Sequence, residues 1–152
     1  MKLAEALSER ADLQRRLFQL QDRLTRNAQY QEGETPAEEP HALLEEYERT
    51  SAALETLVIR INRSNHHLQL ENGLPMIDAL AKRERLQAKH NMLIQLANAA
   101  MPEQTRYSRS EIKMLAAVSV KAIRQQADEV AKTCRLLDLQ IQAANWQHEL
   151  IE

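Results

Sequence analysis

Apolar residues along this chain recur at steps of three and four, which is the spacing that places them on one face of a helix. Long stretches follow this pattern, and the short stretches between them hold all of the 2 glycines and 4 prolines. Because Gly and Pro interrupt helices, the short stretches mark connections. The pattern therefore predicts four helices, at about residues 3–31, 41–65, 76–100 and 120–145.

The apolar stripes predict how these helices pack. The last stripe is the longest, and it consists of Val120, Ile123, Ala127, Val130, Cys134, Leu137, Ile141 and Ala144. Such continuous seams are typical of helices that pack at shallow angles. Long helices with short connections fold back on each other. We therefore predict a mainly α protein, with four long helices in an antiparallel bundle that forms a single domain over residues 1–152.

Two connections carry a β signal. Asn72-Gly73 is a pair typical of type I′ hairpin turns, and Leu68 and Leu70 alternate with polar residues before it. These features predict a short β-hairpin at about residues 66–75. Residues 111–118 are ambiguous, because their apolar residues alternate as in a strand while Met, Leu, Ala and Lys favour a helix. A strand there would extend the hairpin to a three-stranded element.

Composition narrows the class of protein. The chain has 152 residues, of which 43% are hydrophobic and 28% charged, and its net charge is -2. These values are typical of a folded domain and give no general attraction to nucleic acid or anionic membranes. No apolar run approaches the ~20 residues that span a bilayer. Cys134 is the only cysteine, which excludes an intramolecular disulfide and favours the reducing cytoplasm.

Several stretches resemble a known family. They are residues 1–7 (MKLAEAL), 27–33 (NAQYQEG), 61–65 (INRSN), 107–113 (YSRSEIK) and 144–146 (ANW). Together they resemble the septicolysin-like family of small bacterial proteins, over essentially the whole chain. That family has no established activity, although its name implies a cytolysin. The resemblance implies a strand at residues 114–120 and a helix cap at Ser119, while Pro75 and residues 114–117 depart from the family pattern.

A few polar residues lie on the apolar stripes or beside them. They are Arg10, Asn27, Arg83, Glu84 and His90. A buried charge is costly unless it is paired, so Arg10 or Arg83 is expected to pair with Glu84 or another carboxylate. A polar network that holds the helices in register is the favoured interpretation. A polar pocket inside the bundle is the alternative.

No set of residues indicates catalysis or metal binding. Adjacent His66 and His67 on a strand would point to opposite faces, so they could not easily share a metal ion. The Glu-x-x-His spacing of di-iron bundles occurs only at Glu38 and His41, beside Pro40. We expect no catalytic residue, no metal and no cofactor. The basic cluster of Arg106, Arg109 and Lys113 beside Tyr107 is too small to predict nucleic-acid binding.

Three apolar residues lie away from the main stripes of their helices: Phe18, Ile59 and Leu139. Since they lie on three different helices, they indicate a second apolar surface, as in an oligomer interface. We therefore expect a non-enzymatic, self-associating helical-bundle protein that acts through protein contacts, with neither nucleic acid nor a membrane as its partner. The alternatives are a pore-forming or cytolytic protein, as the family name implies, and a small metal-binding protein or enzyme with a polar pocket.

Overall fold

The structure is a computed structural model that describes residues 1–102 and 112–152. Its helices are α1 (Leu3–Arg26), α2 (Pro40–His67), α3 (Met76–Ala99) and α4 (Val120–Gln147). They confirm the prediction of a mainly helical protein with four helices. In the two described stretches there is no strand; the β pairing there consists of isolated bridges, Lys2 with Glu149 and Gln69 with Pro75.

Helix α1 ends at Arg26 instead of continuing to residue 31, and Asn27 supplies the reason. The Asn27 side chain donates from Nδ2 to the carbonyl of Arg23, at 2.9 Å. Its Oδ1 accepts a hydrogen bond from the backbone N–H of Glu38, also at 2.9 Å. One side chain thus binds the end of α1 and the residues before α2. In the connection between them, Gly33 has a φ of +87°, a conformation that side chains with a Cβ rarely adopt.

The helices begin where the sequence supplies capping groups. Pro40 occupies the first position of α2, where a missing N–H costs nothing, and the Glu39 carboxylate accepts from the N–H of His41 at 3.2 Å. At α4, the Ser119 hydroxyl accepts from the N–H of Ala122 at 3.2 Å. The expected cap at Ser119 is therefore present.

The predicted hairpin at residues 66–75 is wrong, although a tight turn exists there. The Gly73 N–H donates to the Leu70 carbonyl and the Leu70 N–H donates to the Leu74 carbonyl, each at 2.9 Å. A type I′ turn needs positive φ at both central residues, but here only Gly73 has one, +82°. Because α2 extends to His67 and α3 begins at Met76, too few residues remain between them to form two strands.

The predicted strand at residues 111–118 is also wrong where it can be judged; Glu111 lies outside the described residues. Residues 112–118 are irregular. Within the described part of the chain, no backbone hydrogen bond involves residues 113–118. A strand is stabilised by its neighbour, and the turn at residues 69–75 offers only a single bridge, so it provides no sheet edge for these residues to join.

Contacts divide the chain into two compact units. Unit 1 comprises Met1–Leu68 and Ala143–Glu152, and unit 2 comprises Gln69–Gln142. The single domain over residues 1–152 stays a prediction. In the described stretches, no helix is both long and apolar enough to cross a membrane.

In unit 1, α1 packs against α2, and the two run antiparallel. The buried apolar side chains of this pair are Leu3, Ala6, Leu20, Leu43, Leu57 and Ile61. The last residues of the chain also belong to this unit and form backbone hydrogen bonds with its first residues. The N–H of Leu3 donates to the carbonyl of His148 at 3.0 Å, and the N–H of Leu150 donates to the carbonyl of Met1 at 2.9 Å.

Unit 2 contains α3 and the larger part of α4, and each of these helices carries a buried apolar stripe. The α3 stripe is Met76, Ala79, Leu86, Leu93 and Ala97, and the α4 stripe includes Ala127, Val130, Leu137 and Ile141. The guanidinium of Arg83 binds the carboxylate of Asp138 between them, at 2.6 Å. Because α3 runs towards Met101 while Arg124 of α4 approaches the Met101 sulfur, these helices are antiparallel too.

Candidate functional site

Two of the polar residues singled out in the sequence lie in unit 1. Asn27 is buried, with both ends of its amide occupied by the backbone bonds described above. Arg10 is half-buried, and its Nε is enclosed with no hydrogen-bond partner among the described residues. Asn27 therefore has a defined structural role in holding a turn, while Arg10 contributes an incompletely satisfied guanidinium to the α1 stripe.

The other three lie on α3 in unit 2. Arg83 is half-buried and paired with Asp138, so its partner is an acidic residue other than Glu84. The Glu84 side chain is exposed and His90 is half-buried. Within the described part of the chain, no hydrogen bond joins any two of Arg83, Glu84 and His90. Asp138 follows Leu137, a member of the apolar α4 stripe. This neighbourhood could have indicated Asp138 as a partner for a charge on α3, but the stripes alone did not include it.

Unit 1 carries two ion pairs between the region of α1 and that of α2. Arg23 contacts both carboxylate oxygens of Glu38 through Nε, at 3.2 and 3.0 Å. Arg16 donates to Glu46 Oε1 from Nε at 3.1 Å and from Nη2 at 2.6 Å. The hydrogen bonds from Arg23 and Arg16 lower the pKa of Glu38 and of Glu46 respectively, and the bond to Glu38 raises the pKa of Arg23.

A third carboxylate of unit 1 is affected in the same way. Glu149 binds the Lys2 ammonium at 2.8 Å and the Met1 amino group at 3.0 Å. The Lys2 bond lowers the pKa of Glu149 most, and the amino group adds to it. These ion pairs join the first residues of the chain to Glu149, near its last residues.

Unit 2 contains a polar groove between α3 and α4, with a volume of about 490 Å³. It is lined by Gln87, His90, Asn91, Ala131, Cys134, Arg135 and Asp138. His90, for which the sequence favoured a polar network and left a pocket as the alternative, lines this groove. Among the described residues, however, no three His, Cys, Asp or Glu side chains are arranged to hold a metal ion.

The three outward apolar residues are exposed. The exposed fractions are 74% for Phe18, 43% for Ile59 and 60% for Leu139. The other predicted surface feature, the basic cluster, is only partly visible: Arg106, Tyr107 and Arg109 lie outside the described residues, and Lys113 is exposed.

A further set of exposed apolar residues lies on α3, beside the exposed polar residues Glu84 and Gln95, and the apolar stripes did not predict it. We define the α3 outward face as Ile77, Ala81, Ala88, Met92 and Ala99, all of them exposed. It lies on the side of the helix away from the buried stripe, because steps of four, seven and eleven residues return to the same side. The available signal was that apolar residues occur on both sides of this helix.

The fold defines a class: a protein of four long helices, with ion pairs between neighbouring segments in both units. Residues 10–150 match a family of unknown function, DUF6847, and the chain belongs to this family. It is similar over 99% of both chains to a solved crystal structure described as a functionally unknown conserved protein from Corynebacterium diphtheriae, with 44% identity and a TM-score of 0.90. No curated protein matches the chain.

These matches correct the resemblance drawn from the sequence. The chain belongs to DUF6847 and not to the septicolysin-like family. The matched family and the crystal structure are both described as being of unknown function. The expectation of a cytolytic protein depended on the septicolysin name, so it loses its basis.

Proposed function

We propose that this protein is a self-associating helical-bundle protein of the cytoplasm that works through protein contacts and not through catalysis. The observation that carries the proposal is the exposure of large apolar side chains that lie on three different helices, Phe18, Ile59 and Leu139.

Large apolar side chains that stay in contact with water favour association with another protein surface. Phe18, Ile59 and Leu139 are exposed, and burying large apolar side chains is the main driving force of association.

The arrangement of the charged groups also favours a protein that works by binding other proteins over one that works by catalysis. Arg23, Arg16 and Arg83 are each engaged with a carboxylate on a neighbouring segment, which is a structural use of charge. The proposed compartment is supported by Cys134, a free thiol of the kind that reducing compartments maintain.

The experiment is a measurement of mass in solution. Light scattering coupled to size-exclusion chromatography, at micromolar protein and moderate salt, is expected to give a multiple of the protomer mass. Analytical ultracentrifugation over a dilution series then gives the dissociation constant. A protomer mass throughout the micromolar range would overturn the proposal.

The polar groove of unit 2 supports a second candidate, a site for a small polar ligand. His90, Arg135 and Asp138 provide donors and acceptors around a space large enough for a small metabolite. Elemental analysis of the purified protein tests the metal-binding form of this candidate, and mass spectrometry of molecules released on denaturation tests the other form. A stoichiometric ligand lost in Asp138→Asn would support it, and an empty protein would count against it.

A further inference from the structure

The polar groove of unit 2 is lined by charged groups of both signs from one helix. Arg135 and Asp138 both line it, and they lie three residues apart on α4. Residues at this spacing are neighbours on the helix surface, with Cβ atoms about 5–6 Å apart. In the described part of the chain, however, Arg135 forms neither an ion pair nor a hydrogen bond. Its guanidinium therefore keeps its donors available to a ligand.

The Asp138 carboxylate is only partly engaged. Its Oδ1 accepts a hydrogen bond from Arg83 at 2.6 Å, and no donor among the described residues contacts its Oδ2. The Asp138 side chain is 43% exposed. Because an ionised carboxylate accepts hydrogen bonds at both oxygens, Asp138 has an acceptor left for a ligand while the bond to Arg83 positions its side chain.

The α3 side of the groove adds uncharged polar groups. They belong to Gln87, His90 and Asn91, and no hydrogen bond joins these side chains to another described residue. Amide groups donate and accept, and so does a neutral imidazole. Ala131 and Cys134 have the shortest side chains of the lining. The volume of about 490 Å³ lies within the range of small-molecule sites, about 300–1,000 Å³.

We propose that this groove binds a small zwitterion of the α-amino-acid class. Arg135 binds the carboxylate of the ligand, since a guanidinium fits a carboxylate with two parallel hydrogen bonds. Asp138 accepts hydrogen bonds from the ammonium group through Oδ2. The amides of Gln87 and Asn91 bind polar atoms of the ligand's side chain. The proposal rests on the small-ligand site given above as the second candidate, and it names the class of the ligand.

A ligand with both charges fits the lining better than one with a single charge. A simple anion on Arg135 would lie beside the Asp138 carboxylate, and a simple cation on Asp138 would lie beside the Arg135 guanidinium. Like charges placed next to each other cost binding free energy. A metal ion is a poorer fit, because no three His, Cys, Asp or Glu side chains of the described residues are arranged to hold one.

Three small molecules test the class of the ligand. L-serine has both charges, 3-hydroxypropionate lacks only the amino group of serine, and ethanolamine lacks only its carboxylate. The proposed charged contacts involve the groups that all α-amino acids share, so L-serine is a sufficient probe. Titration calorimetry on the full chain is expected to give saturable binding of L-serine in the millimolar range or below. Each of the two single-charge analogues is expected to bind about tenfold more weakly or worse.

Cys134 reports whether the probe lies in the groove. It is the only cysteine of the chain, it is half-buried, and it lines the groove. Bound L-serine is expected to slow the alkylation of Cys134 by iodoacetamide in proportion to occupancy, as mass spectrometry would follow. The matched control is Thr133→Cys in a Cys134→Ser background. Thr133 is exposed on the same helix outside the lining, so its alkylation should not respond to L-serine.

Variants of the two charged residues test the contacts. Arg135→Met and Asp138→Asn are each expected to raise the dissociation constant of L-serine by about tenfold or more, because each removes a charged hydrogen-bonding group. The controls make the same changes at exposed positions outside the lining, Arg85→Met and Asp128→Asn. They are expected to leave the dissociation constant unchanged. Circular dichroism checks that all four variants keep the native helix content.

The outcomes separate the ligand class from the site. Saturable binding of L-serine that protects Cys134 and that is weakened only by Arg135→Met and Asp138→Asn supports both. If 3-hydroxypropionate or ethanolamine protects Cys134 as well as L-serine does, the zwitterion is overturned and the groove stands as a small-ligand site. Binding that leaves Cys134 unprotected, or that survives both variants, overturns the contacts proposed here. If none of the three molecules binds, the zwitterion is overturned, and a protein that also releases no small molecule on denaturation overturns the site as well.

Discussion

Helices α1 and α3 have the same length, 24 residues each, and both bury an apolar stripe, yet their outer surfaces differ. On α1 the outer surface carries charges that pair along the helix, Arg15 with Asp12 and Arg26 with Asp22. On α3 the corresponding side carries Ile77, Ala81, Ala88, Met92 and Ala99. The α1 surface thus carries paired charges together with the exposed Phe18, whereas this side of α3 carries exposed apolar residues together with the charged Glu84.

This contrast teaches that a buried apolar stripe predicts a helix but does not predict the character of the helix's outer surface. Charges spaced three or four residues apart stabilise an exposed helix slightly and oppose association. Alanines and larger apolar residues at the same spacing leave the protomer folded but give it a surface that gains free energy when covered. The following predictions test how far the two units differ in their cores, connections and charges.

The largest expected effect concerns the cores, where the two helices should behave alike. Leu20→Ala in α1 and Leu93→Ala in α3 remove side chains that are 0% and 3% exposed. Each is expected to lower the free energy of unfolding by about 3 kcal/mol, through lost burial and the cavity left behind. Urea unfolding followed by circular dichroism measures this. Leu44→Ala, at a residue that is 51% exposed, is the control; a much smaller loss for Leu93→Ala would mean that the α3 core is looser.

The next effect concerns the connections. Asn27→Ala removes the side chain that binds both Arg23 and Glu38 in unit 1. The free energy of unfolding is expected to fall by about 1–2 kcal/mol, because the Glu38 N–H loses its hydrogen-bond partner and the Arg23 carbonyl keeps only the backbone N–H of residue 27. Thermal unfolding compares this variant with Asn62→Ala, at an exposed position of α2. Equal melting temperatures for the two variants would refute a special role for Asn27.

A smaller effect is expected for the ion pair of unit 2. Arg83→Met breaks the bond to Asp138, whose side chain is 43% exposed. Partly exposed ion pairs contribute little, so the loss should be below about 1 kcal/mol. The matched control is Arg85→Met, at an exposed position of the same helix. If both variants unfold alike and keep the native oligomer, the pair does not hold α3 and α4 in register.

The smallest effect is a dependence on pH that should be seen in unit 1. Glu38, Glu46 and Glu149 have a lowered pKa in the folded protein. Their ion pairs therefore contribute stability that is fully present above the ordinary carboxyl pKa of about 4.3 and is lost as the pH falls through the lower folded-state pKa. Two-dimensional NMR spectra recorded during urea titrations at several pH values would follow residues of α1 and α3 separately.

The control for the pH effect is the triple variant Glu38→Gln, Glu46→Gln, Glu149→Gln. It is expected to be less stable than the native protein at neutral pH and to lose less stability on acidification. Acid sensitivity that is unchanged in this variant would mean that other carboxylates are responsible.

The parts of the fold that local sequence controls were predictable. Helix existence follows from periodicity, and the starts of α2 and α4 follow from Pro40 and Ser119. The end of α1 was not predictable, because Asn27 stops the helix by binding Glu38, a residue beyond the following connection. For the candidate site, the exposure of Phe18, Ile59 and Leu139 agrees with their position off the apolar stripes. The partner of Arg83 was not predictable, because it depends on how α3 is aligned with α4.

By itself, the sequence determined four helices and their buried stripes, because the helical period and the positions of Gly and Pro act within a few residues. Only the tertiary structure decided that Asn72-Gly73 makes a turn without strands, that Arg83 binds Asp138, and that one side of α3 stays uncovered. Each of these depends on which distant segments meet. A turn becomes a hairpin only if its flanking residues are not taken up by helices, and an apolar side of a helix becomes a surface only if nothing else in the chain packs on it.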